Sequence, residues 1–243
     1  MAKDDNAWVK DLFAARIQDW TPASAHGACR VLFAPASPDP EASHRCASVL
    51  SEAELQKGSS LLTEDGRRHF RQRRAFRRYC GVLMLTSRRP LLQIGFEQTG
   101  KGRPYLPEMP GTWFSFSACR HGFLGAWSTS HGIGVDVEDE KRNLDAVALA
   151  RRYFARAEAE SVEGIEDRAG QMHAFFQLWT LKEAALKSIG EGLPFGLEKF
   201  EFELSPSPRL VCAPPAHGGV KPICAYAIGK GDCSAALVMR SRT

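Results

Sequence analysis

The sequence contains no CxxC pair, and its seven cysteines are odd in number and scattered from Cys29 to Cys233. That spacing excludes a zinc ribbon and a disulfide scaffold, and it fits reduced thiols in a cytoplasm. No run of about 18 apolar residues occurs, so no membrane-spanning helix is expected and no membrane partner. The opening residues, MAKDDNAWVKDLF, lack the basic start and apolar core of a signal peptide. Internal repeats and low-complexity segments are absent as well. Charge of one sign is also missing: 32 Lys+Arg stand against 28 Asp+Glu in 243 residues, a net of +4. With 44% apolar and 25% charged residues the chain is neither disordered nor fibrous. A chain of this length buries roughly 70–75% of its unfolded surface, so it needs no covalent staple.

The small net charge hides an asymmetry. Residues 1–120 hold 18 basic and 12 acidic residues, a net of +6, and residues 121–243 hold 14 and 16, a net of −2. Most of the excess lies in RRHFRQRRAFRR, Arg67 to Arg78, with seven arginines. Clustered arginines on one helix face suit nucleic acid or a plain solvated face.

Pattern and punctuation give a coarse map. A strand is expected at Arg30–Phe33, helix from about Ser43 through Leu55, and a second helix from about Thr63 to Ser87. The segment from Gln98 to Gly111, rich in Gly and Pro, reads as an ordered loop. Strands follow at Trp113–Ser117 and Phe123–Thr129, and a turn at Ser130–Gly132 leads into IGVDVED, all read as antiparallel hairpin structure. Helices are expected over 144–162 and 171–189, the second stopped by Gly190 and Gly192. Short strands close the chain at 199–204, 209–212, 223–228 and 235–239. The mixed order without βαβ alternation argues for an α+β fold.

Two patterns carry chemistry. In Ile133–Asp139, alternation puts Ile133, Val135 and Val137 on one face and Gly134, Asp136 and Glu138 on the other. Two carboxylates then stand roughly 7 Å apart on one strand. Near-neighbour carboxylates call for a proton or a cation, and an oxygen-seeking Mg²⁺ completed by substrate phosphates is the natural candidate. Gly134 leaves open space beside Asp136 through which a ligand can approach the backbone. The bland alternative is a half-solvated strand. In the helix WTLKEAALK, Glu183 and Lys187 are four apart and share a face with Trp179. Glu183 suits a metal ligand or a general base, and Lys187 a phosphate contact. The bland alternative is a surface ion pair worth about 0.3–0.5 kcal/mol.

Taken together, GVDVE, then about 40 residues, then WTLKEAALK and GEGL, with GRPYLP (Gly102 to Pro107) upstream, resemble the 4'-phosphopantetheinyl transferase superfamily, in its long, surfactin-type form. The resemblance covers roughly residues 50–240. It implies two pseudo-symmetric α+β halves in one chain, about 1–120 and 121–243, with the site at their interface and a monomer sufficient. It implies transfer of 4'-phosphopantetheine from coenzyme A to a serine of an apo acyl- or peptidyl-carrier protein, releasing adenosine 3',5'-bisphosphate. The implied metal is Mg²⁺, with Mn²⁺ as an alternative, held by Asp136, Glu138 and Glu183, with Glu183 also a candidate base. Lys187 is implied to contact the CoA phosphates with Lys182 as its companion, and Arg103 to stand near the nucleotide. In the arginine helix, Arg74 and Arg78 fit the family spacing best, ahead of Arg67 and Arg68. The implied partners are coenzyme A and an acidic carrier protein, not nucleic acid.

One departure stands out. The family loop reads F-N-[IL]-S-H-[ST], with its His near the CoA 3'-phosphate. Here Ser117 is retained and Ala118 fills the His position, followed by Cys119, Arg120 and His121. Arg120 or His121 is the available substitute.

Overall fold

The chain runs through one order of elements and then runs through it again. The computed structural model describes residues 7–85, 89–215, 219 and 223–241. After helix α1 (Ala7–Ala14) and the short strand β1 (Gln18–Asp19), the first pass begins with β2 (Arg30–Pro35). Helices α2 (Pro40–Ala47), α3 (Glu52–Ser59) and α4 (Glu64–Leu85) follow, then the two-residue strands β3 (Glu97–Gln98) and β4 (Pro104–Tyr105). The hairpin β5 (Trp113–Cys119) and β6 (Gly122–Ser128) ends the first pass. The second pass runs β7 (His131–Asp139), α5 (Ala146–Tyr153), α6 (Arg156–Glu163), α7 (Arg168–Ser188) and the short pair β8 (Glu201–Glu203) and β9 (Arg209–Cys212). It ends on β10 (Ile223–Ala227) and β11 (Cys233–Ser241).

Both passes build the same antiparallel sheet. The first strand pairs with the last, and the last pairs with the one before it: β2-β6-β5, extended by β1, and β7-β11-β10. The expected α+β fold is therefore visible in the topology. Gly122–Ser128 bonds to both Arg30–Pro35 and Trp113–Cys119, so the first sheet extends past residue 120 through β6. For the same reason β7 is no continuation of the β5–β6 hairpin; it pairs with β11 in the other sheet.

Alternation along the strands stacks the molecule in four layers. Val31, Phe33, Leu124 and Ala126 of the first sheet face Ile133, Val135, Val137, Leu237 and Met239 of the second. The outer face of the first sheet, with Leu32, Phe114, Phe116 and Phe123, packs on α1, α2 and α4 through Phe13, Cys46, Phe70, Phe76 and Tyr79. The outer face of the second, with Ala236 and Val238, packs on α5–α7 through Ala150, Val162, Phe175, Leu178 and Leu181.

Two expected helices are each split. Residues 48–51 interrupt the first, because Ser51 and Glu54 form a reciprocal capping box that restarts the helix as α3. Phe154 and Ala155 interrupt the second, where the Glu158 carboxylate accepts the Ala155 N–H and starts α6. Ser87, the expected end of α4, lies outside the described residues; the described helix ends at Leu85. Helix α7 stops as expected. Gly190 adopts φ +75°, its N–H bonds to the Lys187 carbonyl, and the Glu191 N–H bonds to that of Leu186, a Schellman motif.

The open space expected beside Asp136 does not exist. A Cβ built on Gly134 would lie 1.9 Å from the Ala184 carbonyl oxygen and 2.6 Å from the Ser188 nitrogen. Gly134 is there to let α7 lie directly on β7. Gly134→Ala must therefore push the two apart, at about 1–3 kcal/mol, which lowers the melting temperature by about 2–12 °C for a chain of this size. Thermal unfolding checks this, and an unchanged melting temperature would show that α7 yields freely.

Candidate active site

The α7–β7 contact builds the acidic part of the site. Alternation holds as read: Ile133, Val135 and Val137 enter the core between the sheets, and Gly134, Asp136 and Glu138 face α7. Asp136 is not half-solvated but 4% exposed. Its Oδ1 accepts from Ser117 Oγ on β5 and from Lys187 Nζ on α7, both at 2.6 Å. Its Oδ2 is buried with no hydrogen-bond partner. Lys187 Nζ also stands 3.9 Å from Glu183, one turn earlier on α7. Glu138 pairs with Arg142 at 2.8 Å.

These carboxylates burden one another. Burial is the first cause that pushes Glu183 up to about 7, and the charges of Asp136 and Glu138 add to it against Lys187. Glu138 is raised by burial and then by Asp136, against Arg142. Among the described residues no three Asp, Glu, His or Cys side chains are already gathered into a metal-holding group. The ammonium of Lys187 stands between Asp136 and Glu183, and the Arg142 guanidinium pairs with Glu138. The donor set nevertheless fits a hard divalent ion: three carboxylates under mutual repulsion, with one oxygen buried and unpaired.

Two cavities succeed one another along α4 and β5. The smaller, of about 220 Å³, is lined by Arg77, the 98–104 loop with Lys101 and Arg103, Phe114 to Phe116, and Lys187, Gly190 and Glu191. It lies where the halves meet, and Lys101 bridges it to Glu191. The Arg103 guanidinium stacks over Trp113, 4.0 Å from the ring centroid. The larger, of about 670 Å³, is lined by Lys57, Arg68, His69, Arg73, Ala118, Cys119 and Arg120 among others.

The arginine helix is shared among three tasks. Arg67, Arg68 and Arg71 pair with Glu64 and Asp65 on their own first turns. Arg78, expected at the phosphates, is instead buried in a two-pronged pair with Glu54, at 3.1 and 2.7 Å. Arg74 lies 3.7 Å from the same carboxylate. Burial opposes ionisation of Glu54, but the Arg78 hydrogen bonds win and hold it below its ordinary value. Arg73 and Arg77 have no carboxylate partner among the described residues; each leans on a phenyl ring, Phe70 and Phe116. They are four apart, so they share a face, and one lines each cavity. Burial and repulsion from Arg74 and Arg73 push Arg77 down to about 9, against the opposing charge of Glu54.

Lys182 is also displaced from its expected role. It is 0% exposed and pairs with Glu158 at 2.5 Å, on the far side of α7 from the carboxylates. Ser117 faces Asp136 and lines neither cavity. Of the two candidates to replace the missing loop imidazole, Arg120 lines the larger cavity and His121 does not, although Asp139 holds both, at 2.7 and 3.1 Å. His69 was not anticipated. It lines the same cavity beside Ala118, with Nε2 2.8 Å from the Cys119 carbonyl oxygen.

Comparison with known proteins completes the picture. Residues 132–236, from β7 to β11, match the model of the 4'-phosphopantetheinyl transferase superfamily. A 4'-phosphopantetheinyl transferase of Nostoc is 31% identical over 169 residues, which are 66% of this chain and 68% of that one. The chain belongs to the 4'-phosphopantetheinyl transferase superfamily. Transferases of the same name from Bacillus pumilus and Bacillus subtilis are 33% and 31% identical. Those two matches span 53% and 54% of the relatives' length, about half. For this superfamily member the matched segment holds Asp136, Glu138, Glu183 and Lys187, whereas Arg73, Arg77 and Arg103 lie upstream of it.

Proposed function

We propose that the chain transfers the 4'-phosphopantetheine group of coenzyme A to a serine hydroxyl of an apo acyl- or peptidyl-carrier protein. One observation carries this reading: Lys187, which pairs with Asp136 and stands near Glu183, lines one groove together with Arg77 and Arg103. A dinucleotide-sized polyanion needs such a groove. Arg73, Arg77 and Arg103 hold phosphates, and Lys187 turns from Asp136 toward the diphosphate when substrate arrives. Asp136, Glu138 and Glu183 would hold Mg²⁺, or Mn²⁺ in its place. When bound, that ion neutralises charge on the diphosphate as the transferred phosphorus is attacked.

The carrier serine oxygen forms a bond to the β-phosphorus of coenzyme A. The bond from that phosphorus to the bridging oxygen breaks, and its electron pair leaves with adenosine 3',5'-bisphosphate. Glu183 takes the serine proton; a carboxyl pushed up to about 7 is matched to that task near neutral pH. Both sides of the groove belong to one chain, so a monomer suffices. The free cysteines fit a reducing cytoplasm, and among the described residues no helix is long and apolar enough to cross a membrane. Incubation with coenzyme A, Mg²⁺ and a panel of apo carriers should add one phosphopantetheine mass to at least one of them. No gain on any carrier overturns the reading.

The phase of the arginine helix gives a sharper test. Arg77→Met should raise KM for coenzyme A about 10–100-fold, the worth of one or two charge-assisted hydrogen bonds, without lowering the melting temperature. Arg78→Met should lower the melting temperature, because it strands Glu54, and leave KM near the parental value. The opposite pattern would restore Arg78 to the phosphates.

A further inference from the structure

We propose that Cys119 and Cys233 form an oxidisable thiol pair, a modification site at which a hydroperoxide closes a reversible disulfide between the two halves. Cys119 ends β5 in the first half, and Cys233 begins β11 in the second. Their sulfurs lie 3.8 Å apart although the two positions are 114 apart in sequence. Neither is bonded to another sulfur. A disulfide requires about 2.05 Å, so closure calls for less than 2 Å of side-chain movement. Both residues are largely buried, at 8% and 7% exposure, but Cys119 also forms part of the wall of the larger cavity. A small oxidant reaches it there without unfolding.

The surroundings favour chemistry at Cys119 over the other thiols. The Cys233 sulfur is in hydrogen-bond contact with it, and the backbone N–H groups of His121 and Gly122 point at it, which together lower it against the effect of burial. Cys233 is raised correspondingly, through the same hydrogen bond and burial. Cys46 and Cys29 are pushed up by burial, to about 12 and about 11. The thiolate is the nucleophile. Cys119 sulfur attacks hydrogen peroxide, the O–O bond breaks, and a sulfenic acid and hydroxide result. Cys233 sulfur attacks the sulfenic sulfur, the S–S bond forms, and a second hydroxide leaves. With the thiol protons the balance is two thiols and one peroxide to one disulfide and two waters.

The test uses the full chain and hydrogen peroxide. After mild oxidation, peptide mapping should find one cross-linked peptide carrying Cys119 and Cys233, lighter by two hydrogens and restored by dithiothreitol. The melting temperature of the oxidised chain should rise, because the cross-link restricts the unfolded state across a long loop. In Cys233→Ser, dimedone should trap Cys119 as sulfenic acid. The proposal is overturned if the parent chain keeps both residues as thiols while the exposed Cys212 and Cys224 react, or if Cys119 proceeds to sulfinic acid beside a reduced Cys233. The mapping of the parent chain stands even if the variant does not fold.

Discussion

Asp136→Asn should lower the rate of carrier loading by about 10²–10³-fold, the usual effect of removing one preorganised charge from a transition-state site. The fold should survive. Asn keeps the shape, and its amide oxygen can still accept the Ser117 hydroxyl, which now bonds to Oδ1 at 2.6 Å. What disappears is the charge. Lys187 loses its 2.6 Å partner, and Glu138 and Glu183 each lose a neighbour that raises them. Relief of that repulsion offsets the lost ion pair, so the melting temperature should stay within a few degrees of the parent. Sites built for chemistry commonly hold such opposed charges at a cost in stability. Loading rate by mass spectrometry and thermal unfolding on the same preparation separate the two effects. A parental rate would remove Asp136 from the chemistry, and a rate loss that tracked unfolding would make its role structural.

What could be read in advance follows from how local each feature is. The faces of β7 were legible because strand alternation has a period of two and needs no partner to define it. The end of α7 was legible for the same reason: Gly190 satisfies a rule confined to six residues, Leu186 to Glu191. The arginine helix was legible only in its spacing. Which of two interleaved pairs faces the groove depends on where Glu54 sits, 24 residues before Arg78 on another helix, and no period within the helix encodes that. Gly134 was misread because its neighbour, the α7 backbone, arrives from 50 residues downstream. The split at Phe154–Ala155 has no Gly or Pro to announce it. Its signal is Glu158, which reaches back to cap the new helix. That β6 and β7 belong to different sheets was not legible because β6 reads as the natural partner of whatever follows it, whereas the chain changes sheets at the turn after Ser128. At the loop with Ala118, the sequence showed that an imidazole was missing but not that His69, from α4, lies beside the vacancy.

Lys182 was the one site residue whose true place could have been found without the structure, and it carries the second large prediction. Leu178, Lys182 and Leu186 lie at successive fours on α7, so a lysine occupies the middle of an apolar stripe. Its ammonium pairs with Glu158 and donates to the carbonyls of Leu197 and Phe200. The Glu158 carboxylate in turn accepts from the backbone N–H groups of Ala155 and Phe202. Burial pushes the ammonium down and the carboxyl up, and this network is what keeps the pair. Lys182→Met should therefore cost about 3–5 kcal/mol by leaving Glu158 buried without a counter-ion, a fall of about 6–20 °C in melting temperature. Adding Glu158→Leu should recover part of it, since two apolar side chains of similar volume replace both charges. Recovery stays partial because two backbone donors lose their acceptor. Below the transition, the folded Lys182→Met chain should load carrier at nearly the parental rate, because the ammonium lies on the far side of α7 from Glu183 and Lys187. A large rise in KM for coenzyme A with the melting temperature unchanged would return Lys182 to the phosphates.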